Sequence, residues 1–279
     1  MIVEVADRPA FAYTGGKPFD PALPLVVFVH GASHDHSVWI MQSRYLAHHG
    51  YSVLAVDLPG HGRSAGEPLA TVAELADWVL ALVVAVRQGV DASAPAAPVY
   101  LVGHSMGSLI ALEAAGRPAG GATARVPLAG LVLVATAVPM KVSDALLEAA
   151  DHDEARAFDM INVWSYSGLT HLPGMPGPGF SVFVQNRRLM ERQRAGVLAT
   201  DFRACNAYAD GIDRARNCQL PVLLVLGGAD QMTPVKATRA LTAALPRSET
   251  VVIDGAGHAV MHEQPDRVLA ALKSWLGSR

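Results

Sequence analysis

Charge is scarce in this sequence. Asp, Glu, Lys and Arg make up 17% of its 279 residues, and the formal net charge is −3 at pH 7. No basic stripe and no long run of like charge is present. Without a cationic surface, neither nucleic acid nor an anionic membrane is expected as a partner. Cysteine is scarcer still, with Cys205 and Cys218 the two in the chain. They lie apart with no metal-type spacing around them, so reduced thiols of a cytoplasmic protein are expected rather than a required disulfide. Long apolar runs are also missing. Windows such as residues 79–86 are short and bounded by charge, well below the roughly 20 residues of a membrane-spanning helix. The first eight residues show no basic region leading into an apolar run, so no secretion signal is expected.

What is present is apolar: 51% of the residues are hydrophobic. That is enough for a large core in one α/β domain, or one domain with an insertion. Residues 2–14 alternate weakly and read as opening strands. Residues 25–29 form a continuous β-prone run of the kind buried on both faces of a parallel sheet. His30-Gly31-Ala32-Ser33 follows, then a helical segment around 38–49. Residues 51–56 read as a strand that ends in the loop Asp57-Leu-Pro-Gly-His-Gly-Arg-Ser64, too rich in Gly and Pro for anything else. Thr71 and Glu74 have the spacing of a capping box, which predicts a helix to about Arg87. The Ala/Pro stretch 91–98 reads as a surface connection, and 99–102 and 126–136 as further buried strands.

From 137 to 217 the rhythm changes and no buried strand is expected. Helices are predicted near 144–158 and 181–196, with a Pro/Gly-rich run at 172–179 and a final stretch at 200–214. The sheet pattern resumes at 220–226 and runs into Gly227-Gly-Ala-Asp230. A helix near 234–245 and a strand at 249–253 follow. Asp254-Gly-Ala-Gly-His258 and an amphipathic helix over 265–276 close the chain. The sequence therefore predicts an α/β fold with a mostly parallel, doubly wound sheet. Its core is expected at 1–136 and 218–279, with a helical cap at 137–217. No internal repeat is visible.

The most informative stretch is 98–117. A β-prone run meets Gly103-His-Ser-Met-Gly107, and a helix-prone run follows at once. This is the sequence form of a nucleophile elbow, in which a serine sits on a strained strand-to-helix turn with its hydroxyl exposed. Small residues are needed at 103 and 107 because the strand and helix backbones pass close together there. A serine hydroxyl is a weak nucleophile and requires a base oriented by a carboxylate. Ser105, Asp230 and His258 each follow a predicted strand, in the order Ser…Asp…His. Asp254 competes with Asp230 as the acid. It lies only four residues before the histidine, where organising the turn is its expected part, so Asp230 is preferred.

With these motifs in place, the sequence resembles the α/β-hydrolase superfamily, of the lidded esterase and lactonase kind. The resemblance rests on His30-Gly31, the loop 57–64, Gly103–Gly107, Gly227–Asp230 and Gly255–His258, in that order, and it spans nearly the whole chain. It implies an α/β-hydrolase fold whose lid is inserted after the strand that follows the elbow helix. It also implies a catalytic triad of Ser105, His258 and Asp230. An oxyanion hole would be made by the backbone N–H groups of Met106 and Ala32, with Ser33 the substitute if the loop shifts by one. The implied activity is hydrolysis of a small-molecule carboxylic ester or lactone through an acyl-enzyme, with no cofactor. A serine at the elbow argues against the aspartate-dependent dehalogenases and epoxide hydrolases of this fold. Carbon–carbon bond hydrolases and cofactor-free haloperoxidase-like enzymes use the same triad and stay open. So does, in a different class, a ligand-sensing receptor with slow turnover.

Other residues have plainer expectations. His30 is expected to anchor the oxyanion loop, His61 and Arg63 to stabilise their own loop, His104 to pack, and Trp39 to join the core. His34-Asp35-His36 resembles a pair of metal ligands, but spacing identifies no third, so no metal is expected and a place at the pocket mouth is. Ser33, His34, His104, Trp164 and Phe183 are the candidate pocket residues. The insertion also carries Phe158, Met160, Tyr166, Met175 and Phe180, which would either face a dry pocket or pack the lid on itself. Oligomeric state has no signal in the sequence.

Overall fold

The computed structural model describes residues 1–88, 96–117, 125–168 and 181–279. The chain opens with β1 (Ile2–Val5) and β2 (Arg8–Tyr13), then β3 (Leu25–Val29), α1 (Ile40–Ala47), β4 (Ser52–Val56) and α2 (Val72–Val86). Next come β5 (Val99–His104), α3 (Met106–Gly116) and β6 (Leu128–Val134). Five helices follow: α4 (Asp144–His152), α5 (Glu154–Ser165), α6 (Val182–Glu191), α7 (Val197–Ala207) and α8 (Gly211–Asn217). The sheet resumes with β7 (Val222–Gly227), α9 (Arg239–Ala244), β8 (Ser248–Ile253), α10 (Val260–Glu263) and α11 (Pro265–Leu276).

Differences from the sequence reading are local. The helix expected over 144–158 breaks at Asp153, whose carboxylate accepts the Arg156 N–H and so caps a new helix. The Pro/Gly run 172–179 and most of the 91–98 connection lie outside the described residues. The capping box at Thr71 and Glu74 forms in both directions.

The eight strands are ordered β1-β2-β4-β3-β5-β6-β7-β8. The pairs β1–β2 and β2–β4 are antiparallel and the rest are parallel. Period-two alternation sends Leu25, Val27 and Val29 into one apolar cluster and Val26 and Phe28 into the other. Burial on both faces is why this strand reads as an unbroken apolar run. The chain leaves β3 for β4, and α2 then returns it to β5 on the other side of β3. The C-terminal ends of β3 and β5 therefore lie side by side, with Val29 opposite Gly103. Such a reversal of strand order opens a crevice above the sheet.

At the end of β5 the chain turns on Ser105, which sits at φ +50° and ψ −118°. A side chain in that region is strained and persists because its surroundings over-determine it. The two flanking glycines show how. A Cβ on Gly103 would come within 2.1 Å of the Gly107 carbonyl oxygen, and one on Gly107 within 2.4 Å of the Val29 carbonyl oxygen. Both obstacles are backbone and cannot move aside. Gly103→Ala and Gly107→Ala are each expected to lower stability by about 3 kcal/mol or more, read as a shift of the urea midpoint at unchanged slope.

Helices α4 to α7 form a separate layer with its own apolar cluster, including Leu146, Ala157, Phe158, Ile161, Met190 and Phe202. The last helix of the expected cap behaves differently. Ala215 of α8 joins the main core, and a Cβ on Gly116 of α3 would lie 2.2 Å from the Arg214 carbonyl oxygen. Residues 211–217 are thus packed on α3 instead of roofing the crevice. The buried Glu113 carboxylate ties this contact together by accepting from Arg214, Arg117 and Tyr208. Cys205 and Cys218 are both buried and unpaired. Among the described residues, no helix is long and apolar enough to cross a membrane.

Candidate active site

Three loops meet at the crevice, each following a parallel strand. Asp230 lies just past β7, and its Oδ1 accepts the N–H groups of Met232 and Thr233, both at 2.8 Å. These bonds lock the carboxylate so that Oδ2 faces His258. His258 Nδ1 lies 2.9 Å from Asp230 Oδ2. A carboxylate only accepts, so Nδ1 carries a proton and, in the neutral ring, Nε2 has the lone pair. The Thr233 hydroxyl donates to Asp230 Oδ2 at 2.7 Å and lies 3.1 Å from His258 Nδ1. Burial works to raise the Asp230 pKa, but the charge and hydrogen bond of His258 and the Thr233 bonds outweigh it and lower it to about 2.

Asp254, the competing acid, is exposed and has no such bond. Its backbone carbonyl accepts from Arg267.

The loop carrying His258 is fixed from three sides. Gly257 N–H donates to Glu263, whose carboxylate also accepts the N–H and hydroxyl of Ser167. Ala259 N–H donates to the Ser165 carbonyl. His104 Nε2 donates to the His258 carbonyl at 3.0 Å. Burial, together with the nearby His258 and His34, keeps His104 neutral by lowering its pKa well below the ordinary histidine value. His104 therefore packs as expected, and it also positions the backbone of His258.

Ser105 is half-buried and borders the same two cavities as His258. Its Oγ has Met140 Sδ as a neighbour at 3.9 Å. On the other side of the elbow, a Cβ on Gly31 would lie 3.2 Å from Ser105 Cβ, so the loop after β3 presses directly on the serine. Ala32 borders both cavities as well. The Ser33 N–H is engaged with Asp201 Oδ2 at 2.8 Å. Met106 is the first residue of α3, so its N–H has no partner within the helix.

The larger cavity at Ser105 has a volume of about 250 Å³. Its walls are mostly apolar, with Met140, Val142, Leu146, Trp164 and Phe202 contributing and Lys141 at the edge. The smaller one, about 30 Å³, lies toward His34, His104 and Ile161. A wider groove of about 650 Å³ between the 36–41 segment and α6 borders none of Ser105, Asp230 and His258.

Of the candidate pocket residues, His34, His104 and Trp164 border the cavities at Ser105. Ser33 and Phe183 do not. Ser33 is buried, with its backbone N–H held by Asp201, and Phe183 packs on Tyr166 with ring centroids 6.1 Å apart. The lid aromatics divide. Phe158 belongs to the lid's own core, Trp164 and Phe202 face the cavity, and Met175 and Phe180 lie outside the described residues. His34 Nε2 meets Asn186 Oδ1 at 2.8 Å and its Nδ1 meets the Ala32 carbonyl at 2.6 Å.

His30 accepts the Leu58 N–H on Nε2 and so joins the loops after β3 and β4. Asp57 supplies the third group that spacing could not find for His36 and Asp35, with one ligand-type atom of each within 4.8 Å of the others. Protein donors already occupy Asp57: His36 N and Nδ1 on Oδ1, and the Arg63 N–H on Oδ2. Thr233, Met140, Phe202, Asp201 and Glu263 were not singled out from the sequence. Only Thr233 carried a local signal, as a hydroxyl three residues after the acid in a turn.

The description of the alpha/beta hydrolase family matches residues 26–271. Among characterised proteins, the chain is 24% identical to (E)-2-((N-methylformamido)methylene)succinate hydrolase of Acinetobacter baylyi, over 90% of this chain and 89% of that one. It is 27% identical to pimeloyl-[acyl-carrier protein] methyl ester esterase of Methylococcus capsulatus, over 91% and 95%. Among solved structures, the enol-lactonase of Burkholderia xenovorans LB400 superposes with a TM-score of 0.82 at 20% identity, covering 99% of this chain and 100% of that one. At that identity the superposition speaks to the fold.

Proposed function

The chain belongs to the alpha/beta hydrolase family, and on that premise we propose that it cleaves a small carboxylic ester or lactone by a serine mechanism. One observation carries the reading: a buried His258–Asp230 pair, 2.9 Å apart, at the wall of the cavity that Ser105 also borders. Ser105 Oγ attacks the acyl carbon and passes its proton to His258 Nε2, which returns it to the leaving alcohol. Asp230 and Thr233 hold the imidazole in the tautomer this needs and stabilise its cation. The negative charge on the carbonyl oxygen meets the N–H groups of Ala32 and Met106. Water, activated by the same histidine, then releases the acyl group. Contacts between nucleophile and base tighten in the Michaelis complex.

The relative named as a methyl ester esterase and the enol-lactonase fit this substrate class. The cavity narrows it. At about 250 Å³ it lies below the roughly 300–1,000 Å³ of pockets that hold drug-sized ligands, and its walls are mostly apolar. Short acyl or lactone groups are therefore preferred. Among p-nitrophenyl esters, kcat/KM is expected to rise about fourfold per methylene while apolar surface is still being buried, peak among short chains, and collapse by octanoate. A flat profile to decanoate would contradict the cavity. The mechanism is tested by a fluorophosphonate probe whose adduct is located by mass spectrometry. Labelling at Ser105 with repeated turnover supports it; labelling elsewhere, or a single slow turnover, removes it.

A further inference from the structure

Asp201 lies on α7 in the helical layer, 1% exposed, and its carboxylate bonds to Ser33 and His61 of the sheet domain. Its Oδ2 accepts the Ser33 N–H and faces His61 Nε2, each at 2.8 Å. The other ring nitrogen of His61 lies 3.0 Å from the Pro59 carbonyl oxygen. Both partners of this histidine are acceptors, so both ring nitrogens must carry hydrogen and His61 is an imidazolium. A buried cation thus faces a buried carboxylate across the junction between the helical layer and the loop 57–64.

The grip on the loop after β3 is specific. The Ala32–Ser33 peptide is held at both polar atoms, its N–H by Asp201 and its C=O by His34 Nδ1 at 2.6 Å. Holding that peptide fixes the backbone of Ala32, which borders both cavities at Ser105. Ser33 is kept at φ +56°, a conformation that would relax if the grip were lost. The residue after Asp201, Phe202, walls the cavity.

We propose that Asp201 is a positioning residue for the reaction above: through Ser33 it sets the Ala32 N–H that receives the oxyanion, and through His61 it fastens the cavity wall to the sheet domain. The inference rests on the Ser105 reading. Burial opposes the charge on His61, but the Asp201 charge and hydrogen bond, the Pro59 carbonyl and Asp57 outweigh it, and the pKa is raised. The other titratable group against the ring is His30, with centroids 4.9 Å apart. Burial first, and then the His61 charge, hold His30 neutral. A raised folded pKa means that the His61 contribution is complete below the ordinary histidine value of about 6.5 and is lost as pH rises through the folded value. Beyond that point Asp201 is a buried charge without its counter-ion, and the loop loosens. The wild-type kcat should therefore carry an alkaline limb that belongs to His61.

The test measures kcat and KM for p-nitrophenyl butyrate from about pH 6 to pH 10, spanning the ordinary histidine value, on the full chain. It compares wild type, Asp201→Asn, His61→Gln and Ser105→Ala. Asp201→Asn is expected to lose about 100-fold in kcat, the scale of a 1 Å misplacement in a catalytic site, with KM nearly unchanged. His61→Gln should lack the alkaline limb of the wild type. If Asp201→Asn keeps wild-type kcat, if His61→Gln keeps the limb, or if the wild type has none, the inference is overturned. Should Asp201→Asn fail to fold, the limb in His61→Gln decides alone. Ser105→Ala separates the two levels: activity surviving in it removes the serine mechanism itself, whereas activity lost there but kept in Asp201→Asn removes only the role of Asp201.

Discussion

Ser105→Ala should lower kcat for a short p-nitrophenyl ester by about a millionfold and abolish labelling by a fluorophosphonate. The size of the effect depends on whether any neighbour can replace the hydroxyl, and the cavity wall answers that. Cys205 borders it, but burial and the Asp201 charge push the thiol pKa far up, so no thiolate forms. The Ser143 hydroxyl accepts from the Leu146 N–H at the start of α4, and the Thr233 hydroxyl donates to Asp230. None of the three is both reactive and adjacent to a base with a free lone pair. The variant should also fold, since alanine and serine carry the same Cβ and so nearly the same strain at φ +50°. Thermal unfolding close to the wild type, together with lost turnover, would place the defect in the chemistry. Turnover within tenfold of the wild type would remove Ser105 from the mechanism.

Asp230→Asn should cost about ten-thousandfold in kcat, and the local hydrogen bonds say why a single-atom change does so much. Asp230 Oδ1 accepts two backbone N–H groups. An asparagine there must keep its carbonyl oxygen on those donors, because an amide NH₂ cannot accept them. The NH₂ is then turned to His258 Nδ1, which has to accept, and the ring proton moves to Nε2. The base has lost its lone pair at the atom facing the cavity. No recovery is expected on changing the pH, because the fault is the tautomer and not the charge.

The wild type has a separate acid signature. The Asp230 pKa is lowered to about 2, so its stabilising contribution is complete above the unfolded value of about 3.9 and is lost as pH falls toward 2. Asp230 therefore places no acid limb on activity above about pH 4, the unfolded carboxylate value. Circular dichroism titrated into acid would show whether the loss of structure begins below that value.

Much of this molecule follows from short-range rules. The elbow at Gly103–Gly107, the capping box at Thr71 and the closing helix Pro265–Leu276 are read from the residues alone, because each depends on contacts within a few positions of itself. The unbroken apolar run of β3 declares a strand covered on both faces for the same reason. Asp230 is preferred over Asp254 from position in the sequence, and the packing of β7 beside β8 brings its carboxylate to His258.

Direction of side chains across the junction was out of reach of the sequence altogether. Trp164 faces the cavity and Phe183 does not, although both are aromatics on helices of one insertion. Asp201, some 168 positions from the Ser33 whose N–H it accepts, carries no local mark of that bond. By itself, then, the sequence determined the strands, the turn that strains Ser105 and the residue types the chemistry needs, because backbone sterics and periodicity act locally. Which aromatic faces the cavity, which carboxylate holds the Ser33 N–H and how large the cavity is were decided by tertiary packing, where the partners are close in space and remote in the chain.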